Sequence, residues 1–266
     1  MTFMTTAVSE SVTQAVTDAV SGAVGSEGGL TLREFLFKGW LGLLGEQGKI
    51  HPAVWVLAII VCALLGYFLG SINFAVVISR LKFHDDIRNH GSGNAGATNM
   101  SRTYGKGAGV ATLLGDIMKT IVAVLVARLL CGEVIGYLTG MCCALGHAFP
   151  CYYKFKGGKC VAVTAAMALT LEPLAFLAIL AIFAVVVGFT KYVSLGSIAA
   201  ACFYPLILYN ILQSRYGHGN LSVIFVFLTC ILIVWLHREN IKRLSEGKEN
   251  KFSFSKGAKK KNNEEK

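Results

Sequence analysis

Apolar residues fill the chain from Val54 to Leu236 in long runs separated by short polar segments. Such runs predict membrane-spanning helices, because about 20 apolar residues cover the hydrocarbon core of a bilayer. The first extends from about Val54 to Ser79. A polar stretch, Arg80 to Lys106, precedes spans over about Gly107–Leu130 and Val134–Phe149. After the basic segment Tyr152–Lys159 come Val161–Leu171, a break at Glu172-Pro173, then Leu174–Phe189, Val193–Leu212 and Leu221–Leu236. With 11 residues, Val161–Leu171 is short for a span. It reads either as a tilted short helix or as half of a re-entrant hairpin with the next run, and both return the chain to the same side.

The amino-terminal 50 residues have a different pattern. Residues 1–29 are rich in Ala, Val, Ser, Thr and Gly, with three acids and no base. They lack the basic start of a secretory signal and read as a poorly ordered or weakly helical arm. Leu32, Phe35, Leu36, Trp40, Leu43 and Leu44 then recur at helical spacing, interrupted by Arg33, Glu34 and Lys38. That suits a helix lying in the membrane interface; a flexible linker is the alternative. The expected organisation is an extension over residues 1–50, a membrane domain over 51–249 and a basic polar tail over 250–266.

Composition supports this reading. The chain is 54% hydrophobic and 15% charged, against about 25% charged in globular chains, and its mean hydropathy is +0.58. Too few polar residues remain to coat a soluble globule, so an all-α integral membrane protein is expected. The net charge of +10 does not point to nucleic acid, because the bases sit in loops and the tail. Arg80–Lys106 carries five bases, Tyr152–Lys159 three, and the segment from His237 onward ten. By the positive-inside rule these segments and Lys191 are cytoplasmic. The amino-terminal arm, with five acids and three bases, lies outside. The eight cysteines lie mostly within apolar runs and form no CxxC pair or zinc-like spacing. They read as small packing residues, with neither a metal nor a disulfide framework expected.

Three segments on the cytoplasmic face carry unusual chemistry. His90–Asn99 contains Gly91, Gly93 and Gly96 beside Ser92, Asn94, Thr98 and Asn99, with Arg88 and Arg102 flanking. Glycines let backbone N–H groups converge, and the hydroxyls, amides and arginines add donors and charge, as a phosphate requires; a Gly-rich turn that only connects two spans is the alternative. Lys154–Lys159 pairs Gly157 and Gly158 with Lys159, which fits either phosphate binding or a purely topological role. In His237–Glu249, His237 and Asn240 share a helix face, where His237 could act as a base or hold a hydroxyl; interfacial anchoring by the basic residues is the alternative. Gly146-His147, with Phe149-Pro150, ends the preceding helix, where His147 reads as helix-end packing or as a ligand. Within the second span Asp116 and Lys119 either pair with each other or present Lys119 to substrate.

Together these segments resemble the bacterial acyl-phosphate:glycerol-3-phosphate acyltransferases. The similarity rests on GSGNAGATNMSR at Gly91–Arg102, KFKGGKCVA at Lys154–Ala162 and HRENIKRLSEGKE at His237–Glu249, with GSIN at 70–73 and GDIMK at 115–119. It covers about Val54 to Glu249, leaving the first 50 residues outside. The resemblance implies a seven-helix bundle in a bacterial plasma membrane. It also implies a cytoplasmic active site and no cofactor, with acyl phosphate, glycerol 3-phosphate and membrane lipid as partners. Ser92, Arg102, His237 and Asn240 would be essential, Gly157 and Gly158 would line the glycerol-phosphate site, and Glu249 would be the family's terminal acid. Two positions depart from the family pattern. Cys160 replaces a glycine, and its Cβ disfavours a left-handed backbone, so either the third glycine is not needed for its dihedral or substrate affinity is altered. Asn73 replaces a proline, which predicts a weaker kink.

Overall fold

The computed structural model describes residues 32–46, 48, 50–217 and 220–251. Residues 1–29 and most of the tail, both singled out in the sequence, lie outside that set. All regular elements among the described residues are helical. Helix α1 covers Leu32–Glu46, α2 Pro52–Ser71 and α3 Phe74–Phe83. Next come α4 over Ala97–Tyr104, α5 over Lys106–Cys131, α6 over Glu133–Ala148 and α7 over Val161–Leu171. The chain continues through α8 (Pro173–Thr190), α9 (Val193–Tyr216), α10 (Leu221–Leu236) and α11 (Arg238–Ser245).

By length and hydropathy five spans suffice to cross a membrane, the first combining α2 and α3, and α10 with the sharply bent α11 makes a sixth. The count of seven expected from the resemblance would require α7, whose 11 residues are too few by the same measure. Much of α7 is instead buried, through Val163, Thr164, Ala166, Met167, Ala168 and Leu171, among α5, α6 and α8. Large apolar side chains such as Leu57, Phe189, Phe227 and Ile231 point outward, as a lipid-facing surface requires.

The first apolar run is not one uninterrupted helix. Ile72 and Asn73 adopt extended dihedrals, and the Asn73 side chain caps α3 by accepting from the Val76 N–H at 3.2 Å. The break that the family pattern places here is thus present with Asn73 in the proline's position. A side-chain cap ends the helix where a proline would also have ended it. Small residues bring α2 and α6 together. A Cβ on Gly70 would strike the Cys143 backbone, and one on Gly146 would strike Tyr67 and Ser71. Close backbone approach of this kind replaces the hydrophobic drive that lipid abolishes.

Two buried clusters stack along the bundle. One holds Tyr137, Met167, Leu171, Tyr204, Leu208 and Val226. The other, nearer the motif loops, holds Cys143, Ala144, Cys160, Val163, Cys230 and Ile233. At the end of the bundle away from those loops, α1 rests on the turn between α5 and α6. Gly39, at φ 70°, lies against the backbone of Cys131 and Gly132, where no Cβ could fit. Arg128 Nε donates to Leu36 O at 3.4 Å, and the Phe37 and Tyr216 rings sit 5.1 Å apart.

Candidate active site

The three motif segments meet at one end of the bundle. In the first, the loop before α4 is held by one buried amide. Asn99 Nδ2 donates to the carbonyls of Ile87, His90 and Asn94 at 3.3, 2.9 and 3.1 Å. Its Oδ1 accepts from the Ser92 N–H at 3.1 Å. Gly91 and Gly93 supply the positive φ of 58° and 70° that this tight path needs, and a Cβ on Gly91 would strike Asn99 Oδ1. Asn99 thus shapes the loop from within, with its polar atoms taken up by the loop itself.

What the loop presents outward is Ser92 and Thr98, both exposed, with Asn94 partly so. Gly96 offers no side chain to cap α4. The first-turn amides from Ala97 therefore face an anion-attracting helix end without a side-chain acceptor. Arg102, exposed and on the last turn of α4, keeps its cation near this edge.

Arg88 has a different role. Its guanidinium clasps Asp86 through Nε at 2.8 Å and Nη2 at 2.6 Å, and Nη1 donates to Tyr153 O at 2.7 Å and Lys156 O at 3.2 Å. The hydrogen bonds from Arg88 hold the Asp86 carboxyl well below the usual carboxylate range. Arg88 therefore ties the first loop to the second.

The second segment folds back along the end of α6. Gly157 N–H donates to Ala148 O at 3.1 Å and Gly158 N–H to His147 O at 3.0 Å, so both amides are engaged by the protein. Gly158 is buried, and a Cβ there would collide with His147 Nε2 and with Ala95 O of the first loop. Both glycines are thus needed for close approach. Cys160 does adopt the left-handed conformation, at φ 63° and ψ 0°, and its thiol donates to Ala144 O at 3.0 Å. The left-handed backbone thus forms at this position without a glycine.

Lys159 turns to the third segment, where Nζ donates to Asn240 Oδ1 in a short contact. Asn240 Nδ2 in turn donates to Glu249 Oε1 at 2.8 Å. Glu249 also accepts from Ser194 Oγ at 2.9 Å and Arg243 Nε at 2.8 Å. Burial pushes the Lys159 ammonium down to about 8, helped by the neighbouring charges of Arg243, Arg102 and Arg238 and opposed by Glu249. These influences bring cations of the first and third segments to the lysine of the second. His237, buried where α10 bends into α11, has Nδ1 at 2.8 Å from Ile233 O. A carbonyl can only accept, so Nδ1 carries the proton and Nε2 keeps its lone pair. Burial lowers His237 to about 4, so it is neutral near pH 7.

Lys119 lies beneath this site, almost fully buried. Its Nζ pairs with Asp116 Oδ1 at 2.8 Å and donates to Gly70 O at 2.9 Å and Ile72 O at 2.6 Å. His147 Nδ1 is 3.1 Å away. Of the two readings open from the sequence, the structure shows the internal pairing. Sequence reasoning missed the parts played by Ser194 and Arg243 in fixing Glu249. Ser194 gives no signal in its apolar surroundings, whereas Arg243 sits within a recognised motif. His147, read as a helix-end packing residue, does pack there, against Gly158.

Comparison with known proteins points to one family. The family model described as "Glycerol-3-phosphate acyltransferase" matches residues 60–247. A glycerol-3-phosphate acyltransferase of Syntrophotalea carbinolica is 42% identical over 192 residues, covering 71% of this chain and 95% of that protein. Its counterpart from Desulforudis audaxviator is 40% identical over 200 residues, covering 75% and 98%. Among solved structures, the crystal structure of PlsY in its glycerol 3-phosphate form aligns with a TM-score of 0.67 and 34% identity. It covers 73% of this chain and 96% of PlsY, described there as an integral membrane glycerol 3-phosphate acyltransferase. The lysophosphatidic acid form of PlsY aligns at 0.65 with 32% identity. Three motif segments joined at one end of an apolar helical bundle, and relatives matched over nearly their whole length, lead to one conclusion: the chain belongs to the glycerol-3-phosphate acyltransferase family.

Proposed function

We propose that this enzyme transfers a fatty acyl group from acyl phosphate to the 1-hydroxyl of glycerol 3-phosphate, yielding lysophosphatidate and inorganic phosphate. One observation carries the reading: the charges of Arg102, Arg238 and Arg243 all bear on Lys159 at the mouth of the helical bundle, with the Glu249 carboxylate, held by Arg243, as their counter-charge. That excess of positive charge suits two phosphate-bearing substrates. The glycerol 3-phosphate and lysophosphatidic acid forms of the PlsY neighbours support it. By the distribution of basic loops, the site faces the cytoplasm of a bacterial plasma membrane, with the amino terminus outside and the carboxyl terminus inside.

In the reaction the glycerol hydroxyl oxygen attacks the acyl carbonyl carbon, the bond from that carbon to the phosphate oxygen breaks, and phosphate leaves with its electron pair. The hydroxyl proton passes to His237 Nε2 or to the departing phosphate. Acyl phosphate is already activated, so the protein's task is to align the reactants and stabilise the developing oxyanion. Ser92, Thr98, Asn94 and the first-turn amides of α4 bind one phosphate, with Arg102 and Lys159 offsetting its charge. Gly91, Gly93 and Gly96 allow the backbone to approach closely. Gly157 and Gly158 bring the second loop against the first, and Asn240 orients Lys159. The acyl chain extends toward lipid between the helices.

Purified protein given acyl phosphate and glycerol 3-phosphate is expected to release stoichiometric phosphate. Turnover with acyl-CoA or acyl carrier protein as the sole donor, and none with acyl phosphate, would overturn the donor assignment.

A further inference from the structure

The buried cluster of Asp116, Lys119 and His147 touches both phosphate-side loops from below. An ammonium has three N–H groups, and here Asp116 Oδ1, Gly70 O and Ile72 O lie at 2.8, 2.9 and 2.6 Å, with His147 Nδ1 at 3.1 Å. These partners surround the lysine with protein. Two connections lead upward. Ile72 adjoins Asn73, whose Nδ2 donates to Ala95 O of the first loop at 3.2 Å. His147, on the other side, lies against Gly158 of the second loop, which also approaches Ala95 O.

We propose that Lys119 is a positioning residue: by holding the break between α2 and α3 and the end of α6 in one cluster, it sets the spacing of the first and second loops. The carbonyls of Gly70 and Ile72 are released by the break, so the ammonium takes up groups the helix leaves open. The same contacts direct Asn73 toward Ala95 and seat His147 below Gly158. This reading rests on the acyltransferase assignment for its kinetic consequences.

Two variants separate the possibilities. Asp116→Asn with Lys119→Met removes the buried pair without leaving one charge unmatched. Asn73→Ser keeps an oxygen to cap α3 and removes the amide that reaches Ala95. Each is expected to raise KM for glycerol 3-phosphate by about tenfold with little change in kcat, the pattern of lost uniform binding. Each should also expose Cys160, buried directly after the second loop, and raise its maleimide labelling rate, read by peptide mapping, by about tenfold over wild type. Combining them should add little, because neighbours in one network are not additive. Should the double variant fail to fold, Asn73→Ser decides alone. An unchanged KM and unchanged Cys160 labelling in Asn73→Ser would overturn the proposal, as would a loss of kcat at constant KM. If wild type shows no acyl transfer, the functional reading fails, while the labelling still tests the positioning claim.

Discussion

His237 and Lys159 show how burial pushes two neighbouring bases toward their neutral forms. His237 is neutral near pH 7 because burial disfavours its cation, and the Ile233 carbonyl fixes its proton on Nδ1. It is therefore ready to accept a hydrogen bond at Nε2 without first losing a proton. Lys159 is pushed down to about 8 by burial and neighbouring arginines, so it loses its charge as pH rises through that value in the free enzyme. Substrate phosphates complete their second ionisation near pH 6, so a fall in kcat/KM above pH 8 belongs to the enzyme. Such a fall is expected for wild type, with Lys159→Arg carrying its charge to higher pH and extending the plateau. A pH profile of kcat/KM for glycerol 3-phosphate checks this; an identical upper limb in both proteins would remove Lys159 from the role. Cys160, one residue on, illustrates a tolerated strain. A left-handed non-glycine backbone costs about 1–2 kcal/mol, offset by burial of the thiol and its hydrogen bond to Ala144 O.

At the scale of elements, close helix contact is what aligns the motif-bearing loops. α6 ends at His147 and Ala148, whose carbonyls anchor the second loop, and α2 leads to the break that addresses the first. Their separation depends on glycines, with Gly70 facing the backbone around Cys143. Gly70→Val is expected to force α2 and α6 apart, lowering stability by about 3 kcal/mol and disturbing both loops. A lower midpoint of unfolding in detergent, with reduced activity at temperatures where the protein remains folded, would show it; an unaltered midpoint would mean that the contact is not limiting. Much of this arrangement is legible in the sequence. Val161–Leu171 and Leu221–Leu236 coincide with the helices because apolar runs there end at polar or helix-capping residues. The break after Ser71 is hidden from the apolar pattern, since Ile72 to Ile78 is mostly apolar, and only the family resemblance at GSIN points to a kink; Asn73 caps α3 at the break and Lys119 takes up the Ile72 carbonyl from a distance. Likewise, motif residues identify the site but not their division of labour. Asn99, Arg88 and the amides of Gly157 and Gly158 have the chemistry of phosphate ligands, and only their internal partners reveal them as scaffold.

For the whole molecule, charge and function separate along the bundle. The basic segments converge at one end, while Arg128 with Glu133 and Arg215 with Glu172 pair at the other. α1 belongs to that second end and precedes the family match at residue 60. It is nevertheless fitted to the bundle: Gly39 and Gly132 both take positive φ, and each occupies space that a Cβ on the other's segment would need. Leu41 joins Cys62, Ala127, Cys131 and Trp55 in a small apolar cluster. These contacts involve the ends of α5 and α6 farthest from Lys159 and His237, so they stabilise helix packing without touching the motif loops. Removal of residues 1–50 should therefore lower the unfolding midpoint, by exposing apolar surface on α2 and α5, yet leave KM for glycerol 3-phosphate within about twofold of wild type, as expected for well-separated sites. The measurement is best made in membranes or lipid nanodiscs, where the bilayer supports the exposed helix ends during turnover. A large rise in KM with an unchanged midpoint would show instead that α1 communicates with the phosphate-binding end, and the two ends of the bundle could not then be treated as independent.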